Sequence, residues 1–536
     1  MFGLDENIAG NNKLGGSNMS RAYPSRRAFL QAAAGIAVSA PFVGQVARAD
    51  AATRKFDPSF GTATEALAAL RSGVISSREL TEHAFARIRK HNPKINAFVT
   101  LLEEQALAQA RQADEQRARG QSAGALHGLP VLVKDSFETA GIRTTCGSKS
   151  LENHVPQQDA VIVARLKQAG AILLGKTNLP EFAGDWQSYN EVAGTSNNPW
   201  DVTRTPGGST GGGAAALAAG IGFLEIGSDL AGSIRVPAHF CGLYGHKPTL
   251  DLVPLAGHIP PPPGVLLGHT VLPVAGPLAR SAADLLLELG VIAGPAGDDA
   301  LAYRWSLPKP RKSSLRDYRI GAVIDDPYCP VDAGVGKVLT SAVADLRKAG
   351  VQVVEGWPRG FDPLAALDTY TFLLASFVTL GLPRAELEAM REAIKRGAGN
   401  PFSHGATAQY REWVEQDQLR LRARTVWRDY FKTFDAFLSP VCFVAAFRHD
   451  HNPDQNARKI ATASGDRPYW DGVRWIAPAS LVGCPATVVP VGRTSTGLPV
   501  GLQIVGPYME DATSIDIAMK MADITGGFVA PPGYED

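Results

Sequence analysis

The sequence Pro206-Gly207-Gly208-Ser209-Thr210-Gly211-Gly212-Gly213 is followed by an alanine-rich run and by a second glycine-dense turn, Gly227-Ser228-Asp229-Leu230-Ala231-Gly232-Ser233-Ile234-Arg235-Val236-Pro237. Alanine is the best helix former, so residues 213–219 predict a helix between the two turns. Glycine has no Cβ, which allows several backbone N–H groups to approach one point. Such groups beside a serine suit an anionic transition state. A flexible Gly/Ser linker, the alternative, rarely encloses a helix-forming run.

The composition indicates an ordinary globular protein. The 536 residues exceed the usual length of one domain, but large α/β enzymes keep a continuous core at this size. A net charge of +1, without a run of lysine or arginine, argues against a nucleic-acid partner. The five cysteines are far apart and form no CxxC pair, so we expect buried thiols and neither a disulfide framework nor a metal site. No cofactor is expected.

The N-terminal residues resemble an export signal. Ser25-Arg26-Arg27-Ala28-Phe29-Leu30 is a twin-arginine pattern before a mildly apolar run, and Ala47-Arg48-Ala49 fits a small-x-small cleavage site. The alternative is an arginine pair that opens an amphipathic helix. No stretch reaches the ~18 apolar residues of a permanent membrane span. We therefore expect a periplasmic or secreted protein, with residues 1–49 as signal peptide and residues 50–536 as one domain.

Helical and strand-like patterns alternate along the rest of the chain. Helices are predicted at 102–119, 159–170, 278–289, 335–349 and 512–524, with a mainly helical insertion at about 364–430. Strands are predicted at 129–133, 171–174, 318–323, 351–354, 436–438, 486–491 and 499–504. Strands separated by helices predict the α/β class, with a large, largely parallel or mixed central sheet covered by helices on both faces.

Lys134 directly follows the predicted buried strand Leu129-Pro130-Val131-Leu132-Val133. The carboxyl ends of strands in open α/β sheets are where sites form, and a lysine there cannot easily reach water. A surface ion pair between Lys134 and Asp135 explains the local sequence equally well. The strand alone therefore leaves two interpretations of Lys134.

A serine needs a neighbouring base to become a nucleophile. Residues 207–211 match the G-x-S-x-G elbow of α/β-hydrolases, but that turn follows an apolar strand, whereas residues 201–206 are polar and end in proline. The elbow mechanism also uses a late histidine, and none follows His451. Neither glycine-rich turn has the G-K-[ST] ending of a P-loop. These observations disfavour both a histidine-based serine hydrolase and a nucleotide-binding loop.

The motifs occur in an order that resembles the amidase signature family over about residues 60–530. They are Gly128-Leu129-Pro130-Val131-Leu132-Val133-Lys134, the two glycine-rich turns, Phe240-Cys241-Gly242, Gly245-His246-Lys247-Pro248-Thr249, Gly276-Pro277-Leu278-Ala279-Arg280-Ser281 and Gly497-Leu498-Pro499-Val500-Gly501-Leu502-Gln503. The resemblance implies the amidase-signature fold, with the core motifs at 128–250, and hydrolysis of amides.

The resemblance further implies a Ser–cis-Ser–Lys triad. Ser233 would be the acyl-forming nucleophile, Ser209 the bridging serine on a cis peptide bond, and Lys134 the base, which burial would keep uncharged. The backbone N–H groups implied to form the oxyanion hole are those of Leu230, Ala231, Gly232 and Ser233. Residues expected to support the site are Gly207, Gly208, Thr210, Asp229 and Arg235, the last two as a buried pair that braces the serine turn.

Ala231 stands where the family commonly has glycine. If the backbone at this position has φ > 0, alanine would be strained by about 1 kcal/mol. His239 and His246 are expected to be structural, because the implied mechanism needs no histidine. Four residues of the helical insertion could form an acyl-pocket wall or simply core: Tyr370, Phe372, Leu373 and Phe377.

Within the resemblance, Gly245-His246-Lys247 and Gly257-His258 favour bacterial amidases and animal fatty acid amide hydrolases. We therefore expect a small or hydrophobic linear amide as substrate, and leave a homodimer open. An esterase, an aryl-acylamidase or a fatty acid amide hydrolase with the same triad are alternatives, as is an exported non-catalytic binding protein. The export pattern argues against the tRNA amidotransferase subgroup, which needs cytoplasmic partner subunits.

Overall fold

The structure, a computed structural model, describes residues 56–265 and 270–535. The twin-arginine pattern and the cleavage triplet lie outside these residues. The described residues all belong to one unit, Phe56–Asp536. Within the described ranges, no helix is both long enough and apolar enough to cross a membrane.

The first half of the chain contains the strands predicted near 129–133 and 171–174, together with strands at Phe98–Leu101, Leu224–Asp229, Tyr244–Lys247 and Val274–Ala279 that the sequence patterns did not predict. The bounds of its helices and strands are α1 (Ala63–Ser72), α2 (Ser77–Ile95), β1 (Phe98–Leu101), α3 (Glu103–Ala118), β2 (Pro130–Lys134), α4 (Val161–Gln168), β3 (Ile172–Thr177), β4 (Tyr189–Asn190), β5 (Gly194–Thr195), α5 (Gly211–Ala218), β6 (Leu224–Asp229), α6 (Arg235–Cys241), β7 (Tyr244–Lys247), β8 (Val274–Ala279) and α7 (Ala282–Ile292). Capping boxes at Thr62 and Ser76 begin α1 and α2, since each hydroxyl accepts an N–H that the helix leaves unpaired.

The second half contains the segment that was predicted to be mainly helical and the last strands of the sheet. The bounds are α8 (Asp299–Ala302), β9 (Arg319–Ala322), α9 (Ala333–Lys348), β10 (Gln352–Glu355), α10 (Pro363–Val378), α11 (Arg384–Lys395), α12 (Pro401–Ala406), α13 (Tyr410–Tyr430), β11 (Ala436–Pro440), β12 (Lys459–Thr462), β13 (Gly465–Pro468), α14 (Ala477–Val482), β14 (Ala486–Arg493), β15 (Pro499–Val505) and α15 (Asp511–Thr525). The mainly helical prediction for 364–430 is confirmed by α10 to α13.

Eleven strands form one sheet in the order β1-β3-β2-β6-β8-β7-β14-β15-β11-β9-β10. Strand β2 is parallel to both of its neighbours, β3 and β6. Strand β8 runs antiparallel to β6 and β7. The predicted large mixed sheet is therefore confirmed, and the carboxyl ends of β2, β3 and β6 meet at one edge.

Side chains of successive strand residues point to opposite faces, and the two faces carry separate hydrophobic cores. Leu132 and Phe437 pack on one face, against α2, α5, α6, α10, α13 and α14. Val131, Val133 and Leu438 pack on the other face, against α1, α4, α7, α9 and α15. Helices thus cover both faces, as the sequence predicted.

The helix predicted at 278–289 begins later than its pattern indicates. Leu278 and Ala279 end strand β8, and the helix α7 begins at Ala282. Ser281 caps this helix by accepting the N–H of Asp284 at 3.2 Å. The error arises because a fully buried strand is apolar on both faces, so its pattern cannot be told from that of a buried helix.

Candidate active site

Lys134 is the last residue of β2 and is fully buried. Its Nζ lies 2.7 Å from Ser209 Oγ and 2.9 Å from Ser228 Oγ. Asp135, also fully buried, turns away and accepts both the N–H and the hydroxyl of Thr145. The alternative of a surface Lys134–Asp135 pair is therefore wrong, and Lys134 faces serine hydroxyls.

Burial lowers the pKa of Lys134 to about 8, although three nearby acidic groups, Cys146, Glu225 and Asp229, act in the opposite direction. Taking an ammonium group out of water costs free energy that deprotonation recovers. An amine with a pKa near 8 is uncharged in an appreciable fraction of molecules at neutral pH. Lys134 can therefore accept a proton from a hydroxyl that it contacts.

Ser209 lies in the loop before α5, and the peptide bond from Gly208 to Ser209 is cis. Residues 201–206 before this loop form no strand, in keeping with the exclusion of a nucleophile elbow. Thr210, which follows, donates its N–H to the carbonyl of Ser233 at 3.2 Å, so the two glycine-rich turns are hydrogen-bonded to each other. Ser209 and Ser233 are both buried.

Two glycines allow this loop to approach its neighbours closely. Gly207 has a φ of +89°, and a Cβ added there would lie 2.9 Å from the Cα of Pro237 in α6. A Cβ on Gly208 would lie 2.5 Å from the carbonyl oxygen of Asp185. Side chains are excluded at both positions, because carbon atoms do not approach protein atoms so closely. The missing Cβ atoms therefore keep the serine loop against α6.

Asp229 and Arg235 form a buried, bidentate ion pair, with Nε–Oδ2 and Nη2–Oδ1 distances of 2.9 Å. Burial opposes the charge of Asp229, but the Arg235 guanidinium keeps its pKa below the ordinary value. Arg235 also donates to the carbonyl of Ile476 and to Gln503 Oε1. The pair thus connects the turn that carries Ser233 to β15 and to the residue before α14.

The backbone of this turn corrects one part of the predicted oxyanion hole. The N–H of Gly232 donates to Asp229 Oδ1 at 2.9 Å, so it is not free for a substrate. Within the described part of the chain, the N–H groups of Leu230, Ala231 and Ser233 have no acceptor. The residue of this turn with a left-handed backbone is Gly232, whose φ is +90°. Ala231 does not have a positive φ, so the strain anticipated for alanine at this position does not arise.

Two aromatic side chains hold the carbonyl groups of this turn, and one of them is Tyr370, which the sequence left open as pocket wall or core. Trp186 donates its indole N–H to the carbonyl of Ala231 at 2.7 Å, and Tyr370 donates its hydroxyl to the carbonyl of Leu230 at 3.1 Å. Both rings are buried. Each peptide plane is fixed by its carbonyl, so these contacts also direct the neighbouring N–H groups.

Ser228 and His258 belong to the sequence motifs, but the sequence alone assigns them no role. Ser228 lies near the end of β6, the parallel neighbour of β2, and its hydroxyl lies 2.9 Å from His258 Nε2. The position of Ser228 beside the lysine-bearing strand is a signal that could have been used. His258 comes from a distant loop, for which the sequence has no such signal.

The other histidines and cysteines considered as site candidates make contacts that stabilise the fold. The Nδ1 of His239 accepts the N–H of Gly501 at 2.7 Å, and His246 lies between Thr487 and Asp511. The cysteines of the chain are all free and buried, and burial raises the pKa of the Cys241 thiol. Among the described residues, none of these histidines and cysteines is hydrogen-bonded to Lys134, Ser209 or Ser233.

The fold and the surroundings of Lys134 define an α/β enzyme whose site combines a buried amine, serine hydroxyls and a turn with free N–H groups. A family model described as Amidase matches residues 79–515. The chain belongs to the amidase signature family, whose enzymes act on amide C–N bonds.

Three known proteins illustrate the relationship. A glutamyl-tRNA(Gln) amidotransferase subunit from Synechococcus sp. (strain CC9605) is 32% identical over 494 residues, which cover 86% of this chain and 96% of the relative. A crystal structure of an amidase is 28% identical, with a TM-score of 0.71 over 86% of this chain and 99% of the other. A fatty acid amide hydrolase structure, 20% identical with a TM-score of 0.72 over 88% of this chain and 86% of the other, shows the shared fold.

Proposed function

We propose that the protein hydrolyses a linear carboxamide through an acyl-enzyme on Ser233. The observation that carries the proposal is the position of Lys134, a fully buried amine 2.7 Å from the hydroxyl of Ser209. Its pKa, lowered to about 8, makes it a base of the right strength for neutral or mildly alkaline conditions.

The reaction has two halves. Ser233 Oγ attacks the amide carbon while its proton passes to Ser209, and the Ser209 proton passes to Lys134. The free N–H groups of Leu230, Ala231 and Ser233 stabilise the tetrahedral oxyanion. The C–N bond then breaks as Ser209 returns a proton to the nitrogen, which leaves as ammonia or an amine. Water attacks the resulting ester by the same relay and releases the acid.

A fluorophosphonate probe tests this proposal directly. We expect covalent labelling of the purified protein at Ser233, identified by mass spectrometry, and none in Ser233→Ala, because only an activated hydroxyl displaces the fluoride. Release of ammonia or amine from a panel of primary, anilide and long-chain amides should be lost in the same variant. A wild-type protein that neither labels nor turns over would indicate the binding-protein alternative.

The same residues can cleave esters, the closest chemical alternative. An alkoxide leaves with less help from a proton than an amine does, so an ester depends less on the return of the proton through Ser209. Hydrolysis of a matched amide and ester by the wild-type protein decides between amidase and esterase. The panel of amides likewise separates an aryl-acylamidase or a fatty acid amide hydrolase from an enzyme of small amides.

A second candidate function follows from the amidotransferase relatives, among them the glutamyl-tRNA(Gln) amidotransferase subunit from Thioalkalivibrio sulfidiphilus (strain HL-EbGR7) at 35% identity over 505 residues. On this alternative the protein would release ammonia from glutamine for a second protein of the same complex. Glutamine hydrolysis that appears only when the other amidotransferase subunits are added would favour it. Rapid hydrolysis of simple amides by the isolated chain would favour the amidase.

Export through the twin-arginine route and removal of residues 1–49 remain part of the proposal. Cell fractionation should place the mature chain, beginning at Asp50, outside the cytoplasm. Replacing Arg26 and Arg27 by lysine should retain the full-length chain inside the cell. The mass of the purified protein in solution will show whether it is a homodimer.

A further inference from the structure

His258 lies in the segment between β7 and β8 and contacts the site through the hydroxyl of Ser228. Its Nε2 is 2.9 Å from Ser228 Oγ, and its Nδ1 is 3.0 Å from the carbonyl oxygen of Pro260. The ring packs edge-on against Phe137 at a centroid distance of 4.9 Å. Ser228 in turn lies 2.9 Å from Lys134 Nζ, so His258, Ser228, Lys134 and Ser209 form one chain of hydrogen bonds.

The donor and acceptor in each of these hydrogen bonds follow from the carbonyl oxygen of Pro260, which ends the series. A carbonyl oxygen only accepts, so Nδ1 of His258 carries a proton and donates it to Pro260. Burial and the nearby charge of Lys134 lower the pKa of His258 to about 3, so the imidazole is neutral and Nε2 has no proton. Nε2 must therefore accept the hydroxyl proton of Ser228.

We propose that His258 is a positioning residue that acts through Ser228 to aim the lone pair of the uncharged Lys134 amine at Ser209. A serine hydroxyl has one proton, and Ser228 donates it to His258. Ser228 can then only accept from Lys134, which spends one N–H on this contact. The lone pair of the amine is left for the hydroxyl of Ser209, and this role rests on the proposed use of Lys134 as the base.

Without an acceptor at position 258, the Ser228 hydroxyl can rotate and donate to Lys134. The lone pair would then be occupied by the wrong serine, and transfer of the Ser209 proton would require that hydrogen bond to break first. Because the effect concerns the proton transfer, it should lower kcat and leave KM nearly unchanged.

Because Nδ1 contacts Pro260 and Nε2 contacts Ser228, substitutions that replace only one of these contacts can separate a role in holding the loop from a role in orienting Ser228. Asn at position 258 can place an amide N–H near the Nδ1 position and keep the bond to Pro260, but it offers nothing to Ser228. Gln can place its amide oxygen near the Nε2 position and accept from Ser228. We expect kcat to fall about tenfold to 100-fold in His258→Asn and His258→Phe, a part of what a general base contributes, and to be largely restored in His258→Gln.

The opposite pattern, with Asn active and Gln impaired, would show that His258 only holds its loop and would overturn the proposal. The matched control is His154→Gln, which changes a partly buried histidine 3.2 Å from Glu138 and outside the site. This variant should keep the wild-type kcat. The rate of fluorophosphonate labelling at Ser233 should follow kcat in every variant.

A double-mutant cycle tests whether His258 acts through Ser228. Ser228→Ala removes the intermediary, so adding His258→Phe to it should change kcat less than about twofold, whereas the two losses would multiply if the residues were independent. Multiplying losses would overturn the proposal.

One readout does not depend on activity. Nitrogen-15 NMR of histidine-labelled protein should show that the His258 ring is protonated at Nδ1 and unprotonated at Nε2 at neutral pH. The resonances of His258 are assigned by their absence in His258→Gln. A proton on Nε2 would overturn the proposal even in a fully active enzyme. The expected tautomer in a protein that neither labels nor turns over would count against the proposed function and leave the hydrogen-bond direction intact.

Discussion

Two buried lysines on neighbouring strands differ in their surroundings. Lys134 ends β2 and Lys176 lies in the parallel strand β3, one register position away. Both are fully buried, and burial lowers the pKa of each to about 8. Lys176 Nζ, however, contacts the carbonyl of Phe137, the hydroxyls of Thr139 and Thr144 at 3.0 Å, and Asp135 Oδ1 at 3.8 Å.

The difference shows that burial alone does not make a lysine a base. A carbonyl and a carboxylate have no proton to give, and their presence favours the ammonium form of Lys176. Lys176 also contacts two hydroxyls, but those of Thr139 and Thr144 donate to the carbonyls of Phe137 and Ile142 and therefore only accept from the lysine. Among the described residues the Ser209 hydroxyl has no such acceptor, so it can donate its proton to Lys134. The same depressed pKa therefore suits the proposed proton transfer at Lys134 and accompanies a structural role at Lys176.

The largest expected effect is the loss of catalysis on replacing Lys134. Lys134→Met should lower amide turnover by at least about 10³-fold, because in the proposed mechanism the residue acts as one unit with the two serines. Turnover of a matched ester should fall less, since its leaving group needs less protonation. Equal losses on amide and ester would contradict the relay through Ser209.

Lys176→Met should destabilise the protein and spare its chemistry. The substitution leaves Asp135 and the Phe137 carbonyl buried without their cation, and breaking a buried pair in this way costs about 3–5 kcal/mol. Urea unfolding measures the loss, and kcat of the folded fraction should remain within about tenfold of wild type. A stable but inactive Lys176→Met would remove the distinction between the two lysines.

The pH dependence of amide hydrolysis should report Lys134 and not Lys176. In the proposed mechanism Lys134 acts in its deprotonated form, so kcat/KM should fall about tenfold per pH unit below pH 8 and level off above it. Lys176→Met should leave this midpoint in place. A midpoint near the ordinary lysine value, or one that moves in Lys176→Met, would mean that another group is the base.

The smallest expected effect concerns one hydroxyl beside Lys176. Thr144 accepts from Lys176 and donates to the carbonyl of Ile142 at 3.1 Å. Thr144→Val keeps the shape of the side chain and removes these bonds, which should lower the free energy of unfolding by about 1–2 kcal/mol. The rate of amide hydrolysis should not change, which a parallel assay would check.

Local patterns predicted the elements that local chemistry determines. The apolar run before Lys134 predicted β2, and the glycine-rich turns predicted that the backbone would approach its neighbours closely. The exact start of α7 was missed because a buried strand and a buried helix share an apolar pattern. The use of the Gly232 N–H by Asp229 was also missed, because it depends on the shape of the turn.

Contacts between distant parts of the chain could not be predicted from a single sequence. Trp186 reaches the carbonyl of Ala231 across 45 positions, and Arg235 reaches Gln503 across 268. Nothing in the neighbouring residues of either partner encodes such a contact, since it exists only after the sheet has formed. For the same reason the role of His258 was visible only in three dimensions.

The absence of a side chain at Gly207 limits which substitutions this enzyme can accept as its substrate preference evolves. A methyl group at that position would clash with Pro237 and push apart the serine loop and the helix α6. Variants with altered substrate preference are therefore expected to carry their changes at positions other than Gly207 and Gly208, where the close packing excludes a side chain. A mutational library directed at selectivity should therefore leave residues 207 and 208 unchanged.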